Sequence, residues 1–214
     1  MSSRRSGAPR LPRGGEGLRL DFALSPGMRV GLFGGSFDPP HAGHLQVART
    51  ARRRLGLDRV IWLVAPGNPL KQDPGALAER VALTRALASG AAISVAEARI
   101  GARFTIDTVR MLKARYPALR FVWIMGADSF ADLHRWRDWR GIMAELPVAV
   151  VARPAASLAA LTGLAARRFA AARLPERAAR RLACAKPPAW IYLSAPWNFA
   201  SSTALRQSSA SMLD

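Results

Sequence analysis

The chain has a single cysteine, and Cys184 alone cannot close an internal disulfide. A reducing compartment, the cytoplasm, fits that usage. No apolar run approaches the roughly 18 residues needed to cross a bilayer, and the N-terminal arginines are not followed by an apolar signal core. A soluble protein without a membrane partner is expected. There is no internal repeat and no heptad seam, and no cluster of carboxylates suited to caging a metal ion. Lysine is nearly absent too: of 32 basic residues only Lys71, Lys113 and Lys186 are lysines. The formal charge of +18 therefore looks more like an arginine-rich coding habit than a selected nucleic-acid face. It is also lumpy. Residues 1–20 hold five arginines against Glu16, and residues 151–186 hold eight basic residues against Glu176. Neither segment interleaves aromatics with charge as single-strand binders do. A nucleic-acid partner is not expected, whereas attraction for anionic substrates is.

What is present is concentrated between Arg29 and Leu45. Val30 to Phe33 reads as a buried strand, Gly34-Gly35 and Asp38-Pro39-Pro40 end it, and a helix-periodic segment begins near Ala42. Glycines allow main-chain amides to approach a ligand, and a helix start behind them offers unpaired N–H donors, so this loop should receive an anion. The chain has three histidines, and two of them, His41 and His44, fall three apart at this helix mouth. That spacing places both rings on one face. The competing reading is a pair of structural histidines beside a turn.

Downstream, helix and strand alternate. Helix is expected over 45–55, strand over 59–65, helix over 77–89, strand over 92–96, helix over 105–116 and strand over 119–125. A short helix over 139–146, a strand over 147–152, an alanine-rich helix over 158–172, a basic, proline-rich surface connection over 173–189 and a strand over 190–193 follow, with a last helix from Ser202. The period predicts a single α/β domain, a Rossmann-like doubly wound parallel sheet, over residues 28–214. Ligands of such sheets bind at the carboxyl ends of strands near a switch in strand order. Residues 1–27 show no sustained periodicity and read as a loose basic extension, with Met28 a possible start of translation.

Gly34-Gly35-Ser36-Phe37-Asp38-Pro39 followed by His41-Ala42-Gly43-His44 resembles the signature of the nucleotidylyltransferase superfamily, whose H-x-G-H faces the phosphates of ATP or CTP. Class I aminoacyl-tRNA synthetases carry a similar four-residue motif, but this chain is short and has no K-M-S-K-S. Ser201-Ser202-Thr203-Ala204-Leu205-Arg206 can be read as a helix cap or as a phosphate contact, and it resembles the superfamily's second motif. Met125-Gly126-Ala127-Asp128-Ser129-Phe130, continuing through Trp136 and Trp139, looks like the G-x-D-x-F…W-x-x-W block of the bacterial nicotinate-nucleotide adenylyltransferases. Phe104-Thr105 matches that family's [YF]-T step. Pro66-Gly67-Asn68-Pro69-Leu70-Lys71 resembles its phosphate-side loop, a residue or two shorter.

The resemblance implies adenylyl transfer from ATP to nicotinate mononucleotide, with nicotinate adenine dinucleotide and pyrophosphate as products. It implies that His41 and His44 act at the α-phosphate, that Gly34, Gly35, Ser36 and Phe37 bind phosphate, and that Ser202, Thr203 and Arg206 hold the leaving pyrophosphate. Lys71, Phe104, Thr105, Gly126, Asp128 and Trp136 are assigned to the mononucleotide, Asp128 at the ribose and Trp136 stacked on the pyridine. Mg²⁺ is expected to arrive on ATP rather than on a protein site. The alternatives are a sister transferase acting on phosphopantetheine or a cytidylyl acceptor, and an arginine-rich RNA-binding module on an idle copy of the fold. The chain stops eight residues after Arg206, where many relatives add a closing helix, and its oligomeric state is open.

Overall fold

The computed structural model describes residues 20, 22–67, 75–153 and 156–196. Seven strands form one sheet: β1 (Arg29–Gly35), β2 (Arg59–Val64), β3 (Ala92–Ser94), β4 (Arg120–Gly126), β5 (Val148–Val151), β6 (Arg173–Leu174) and β7 (Trp190–Leu193). Their order is β3-β2-β1-β4-β5-β7-β6 and every pairing is parallel. The chain runs outward from β1 to β2 and β3, then returns past β1 to build β4 and β5 on its other side. The switch point lies between β1 and β4, where Phe33 faces Ile124 in register.

Successive residues of a strand point to opposite faces. Phe121, Trp123 and Met125 of β4 accordingly belong to one core and Val122 and Ile124 to the other. The first core is covered by α4 (Thr105–Arg115), α5 (Ala127–Ala131), α6 (Trp139–Glu145), α7 (Ser157–Thr162) and α8 (Leu164–Arg168). The second is covered by α1 (Ala42–Leu55), with Val47, Ala48, Ala51 and Leu55 turned inward. Burial on both faces is why these strands read as unbroken apolar runs. Between β2 and β3 runs α2 (Leu77–Leu87), and α3 (Ala96–Arg99) follows β3. Among the described residues no helix is long and apolar enough to cross a membrane.

Three expectations are corrected. The third strand ends at Ser94 rather than at residue 96, and Ala96 opens a helical turn that runs to Arg99. The long alanine-rich helix is two short ones divided at Gly163, followed by a 3₁₀ turn, Ala170–Ala172. Residues 173–189 are more than a surface connection: though largely exposed, they supply edge strand β6 and a 3₁₀ segment, Glu176–Cys184, that buries Ala179, Leu182 and Ala183 against the α1 side. Part of the stretch expected to be loose is packed as well. Leu20 is buried, its N–H donates to Tyr116 Oη at 2.9 Å, and Phe22 and Leu24 rest on the first core. The helix expected from Ser202 lies outside the described residues.

Candidate active site

At the carboxyl end of β1 the main chain passes directly over a tryptophan. A methyl group on Gly34 would stand 2.5 Å from the Trp123 ring, so only glycine lets the loop cross here. Phe37 then adopts a left-handed conformation (φ 48°) and drives its ring inward, 1% exposed, against Phe33, Trp62 and His44 at centroid distances of 5.3, 5.1 and 5.1 Å. The Phe37 side chain is therefore a wedge under the loop, and only its main chain can meet a phosphate.

His41 is the N-cap of α1. Its Nδ1 accepts the Gly43 N–H at 3.1 Å, while His44 Nδ1 accepts the His41 N–H at 3.2 Å, a reciprocal cap made by two imidazoles. With Nδ1 accepting, each neutral ring carries its proton on Nε2. The ring centroids are 3.8 Å apart. Burial, helped by the Arg153 guanidinium and opposed by Asp128, lowers the His41 pKa from 6.5 to about 4. At neutral pH it is an uncharged Nε2–H donor. The structural and functional readings of the pair thus apply to different nitrogens.

Both rings line a cavity of about 680 Å³ at the switch point, with Phe33 to Phe37 on one wall and Met125, Gly126 and Asp128 from the end of β4 on another. Phe104, Thr105 and Trp136 complete it. Phe104 is the extended N-cap of α4, and the Arg137 guanidinium lies over its ring at 4.8 Å. Trp136 is half-buried against the first core and shares the wall. Of the expected site residues, His41, His44, Gly34, Gly35, Ser36, Phe37, Phe104, Thr105, Gly126, Asp128 and Trp136 all meet in this one cavity. Lys71, Ser202, Thr203 and Arg206 lie outside the described residues. Pro196, the last described residue, accepts a hydrogen bond from the Gln46 amide in α1, the helix that carries His44.

Sequence reasoning passed over five charged residues of the wall: Glu97, Arg103, Asp132, Arg135 and Arg153, besides Arg137. Arg153 donates to Asp128 Oδ2 at 3.2 Å, while its Nε is buried and, among the described residues, without a partner. Its position two residues past the end of β5 was a usable signal, since strand ends face the ligand in such sheets. Glu97 is 8% exposed, and burial pushes its carboxyl from 4.5 up to about 7, against a smaller pull from Thr108. It had no sequence signal, because the four-residue turn that carries it lies just past the expected strand and is too short to show a helical period. Four arginines against three acids give the cavity a bias toward anions.

A glycine loop over a parallel sheet's switch point, with a helix start and imidazole donors behind it, defines a nucleotide-binding α/β transferase. Residues 32–208 match the cytidylyltransferase-like family. A Caulobacter sp. protein named "Probable nicotinate-nucleotide adenylyltransferase" is 61% identical over 183 residues, 84% of this chain and 97% of that protein. A Methylorubrum extorquens protein of the same name is 57% identical over 184 residues, 84% of this chain and 99% of its own. A solved structure of Plasmodium falciparum nicotinic acid mononucleotide adenylyltransferase complexed with NaAD superposes with a TM-score of 0.61 at 16% identity, covering 84% of this chain and 83% of that one, which supports the fold. The chain belongs to the cytidylyltransferase-like family and, within it, to the nicotinate-nucleotide adenylyltransferases.

Proposed function

We propose that the chain transfers the adenylyl group of ATP to nicotinate mononucleotide, releasing pyrophosphate and forming nicotinate adenine dinucleotide. An oxygen of the mononucleotide 5′-phosphate attacks the α-phosphorus in line, the bond to the β-phosphate oxygen breaks, and the charge leaves on pyrophosphate. Such a reaction needs positioning and neutralisation rather than a protein nucleophile. The Nε2–H groups of His41 and His44 donate to oxygens of the α-phosphate, and the amides of the 34–37 loop with the Ser36 hydroxyl hold the phosphate chain. Ser202, Thr203 and Arg206 keep their role at the leaving group, and Lys71 its role at the mononucleotide phosphate, on their motifs alone. Trp136 stacks on the pyridine, Phe104 and Thr105 present main-chain N–H groups to its carboxylate, and Asp128, steadied by Arg153, accepts from a ribose hydroxyl.

Among the described residues no three His, Cys, Asp or Glu side chains converge on a point that could hold a metal. Mg²⁺ prefers phosphate oxygens and its own waters to a protein cage, so this donor set suits a magnesium ion that enters as part of MgATP. We place the reaction in the cytoplasm, in keeping with an exposed Cys184 that has no second cysteine in the chain.

The observation that carries this reading is the single cavity uniting the glycine loop and histidine pair with Phe104, Asp128 and Trp136. A coupled pyrophosphate assay with nicotinate mononucleotide, its amide and phosphopantetheine side by side tests it. Rapid ATP-dependent release with the acid is expected. Preference for phosphopantetheine, or no release with any acceptor, would overturn it.

A further inference from the structure

Arg80, the fourth residue of α2, is 2% exposed, and it stands behind the cavity wall rather than in it. Its guanidinium donates to four main-chain carbonyls in three separate stretches. Nε reaches Gly75 O at 2.7 Å, Nη1 reaches Ser36 O at 2.6 Å and Ala65 O at 2.8 Å, and Nη2 reaches Pro66 O at 3.0 Å. One planar fork thus ties the loop after β1 to the loop after β2, a task that the single ammonium of lysine cannot reproduce.

The direction of those bonds matters for a phosphate site. A trans peptide is planar, with its C=O and N–H on opposite sides. Drawing Ser36 O toward Arg80 turns the Phe37 N–H away from it, and drawing Pro66 O turns the Gly67 N–H away. Ser36, Phe37, Pro66 and Gly67 all line the cavity while Arg80 does not, so away from Arg80 is toward the cavity. Among the described residues neither amide donates within the chain. Carbonyl oxygens facing a triphosphate would repel it, whereas amides facing it form an anion-binding nest.

We infer that Arg80 is a positioning residue for phosphate binding: it holds these carbonyls behind the wall and so presents the Phe37 and Gly67 amides to substrate phosphates. The inference rests on the adenylyl-transfer reading above. It is tested by NMR of the ¹⁵N-labelled full chain, titrated with ATP, with pyrophosphate and with nicotinate riboside, which has the ring and ribose but no phosphate. In the unaltered protein pyrophosphate should shift the Phe37 and Gly67 amides, and riboside should shift the Trp136 indole. Arg80→Lys and Arg80→Met should weaken ATP and pyrophosphate by about tenfold or more, the scale of one lost charge-assisted contact or greater, with the two amide shifts lost and the Trp136 response kept. A folded variant that binds pyrophosphate as tightly as the original overturns the role, as does one that loses the Trp136 response equally. Should Arg80→Met fail to fold, the lysine variant decides by the same split. An unaltered protein that binds neither ATP nor pyrophosphate sinks the adenylyl-transfer reading itself.

Discussion

His41 uses the two nitrogens of one ring for different ends. Nδ1 closes the start of α1, and the same bond leaves the ring proton on Nε2, the nitrogen that the proposed mechanism uses toward phosphate. Because burial depresses its pKa to about 4, the folded chain refuses a proton that an unfolded histidine accepts near 6.5. Its contribution to stability is whole above pH 6.5 and is lost as pH falls toward 4. Following the ring protons by NMR, His41 should titrate near pH 4; a midpoint near 6.5 would contradict the buried, neutral donor. His44→Ala removes a cap acceptor and, on the proposed mechanism, a donor to the α-phosphate. It should lower kcat by about a hundredfold or more while costing only about 1 kcal/mol of stability, read from steady-state rates and thermal melts. Both histidines were legible from the glycine loop before them. Their reciprocal cap was not, since it depends on where the helix starts to within one residue.

At the scale of elements, short breaks and turns depart from what the helical pattern of the sequence suggests. The alanine-rich stretch from Leu158 to Ala172 has helical composition throughout, yet it divides at Gly163. A methyl there would meet the Ala159 carbonyl oxygen at 2.7 Å, so the two short helices pack with main chain where a side chain would stand. Gly163→Ala, which helix propensity alone would favour, should instead destabilise the protein by about 1–3 kcal/mol, the usual cost of overpacking, measured by denaturant unfolding. An unchanged or raised midpoint would mean that the helices can join. The turn Ala96–Arg99 likewise escaped sequence reasoning, because four residues carry no period, and with it went Glu97.

For the molecule as a whole, Glu97 is a liability in alkaline conditions. Between pH 4.5 and about 7 the folded chain keeps a proton that the unfolded chain has released, so this group lowers stability as pH rises and its cost is complete above 7. Glu97→Gln removes the ionisation. It should raise stability at pH 8 by about 1–3 kcal/mol, several degrees in Tm, and change little at pH 4. Equal melting curves at pH 8 would show the carboxyl to be solvated or paired.

The sequence by itself determined the class of fold, the strand that begins it and the glycine loop and histidine pair at the cavity. Periodicity, glycine and a rare residue type clustered at one place are local signals, and they survive in one dimension. Only the tertiary structure decided that Arg153 and Glu97 join that loop, that Arg80 stands behind it, and that Ala179, Leu182 and Ala183 turn into the core. Those facts depend on which strand ends lie side by side and on which carbonyls point where, and the order of strands in the sheet sets both.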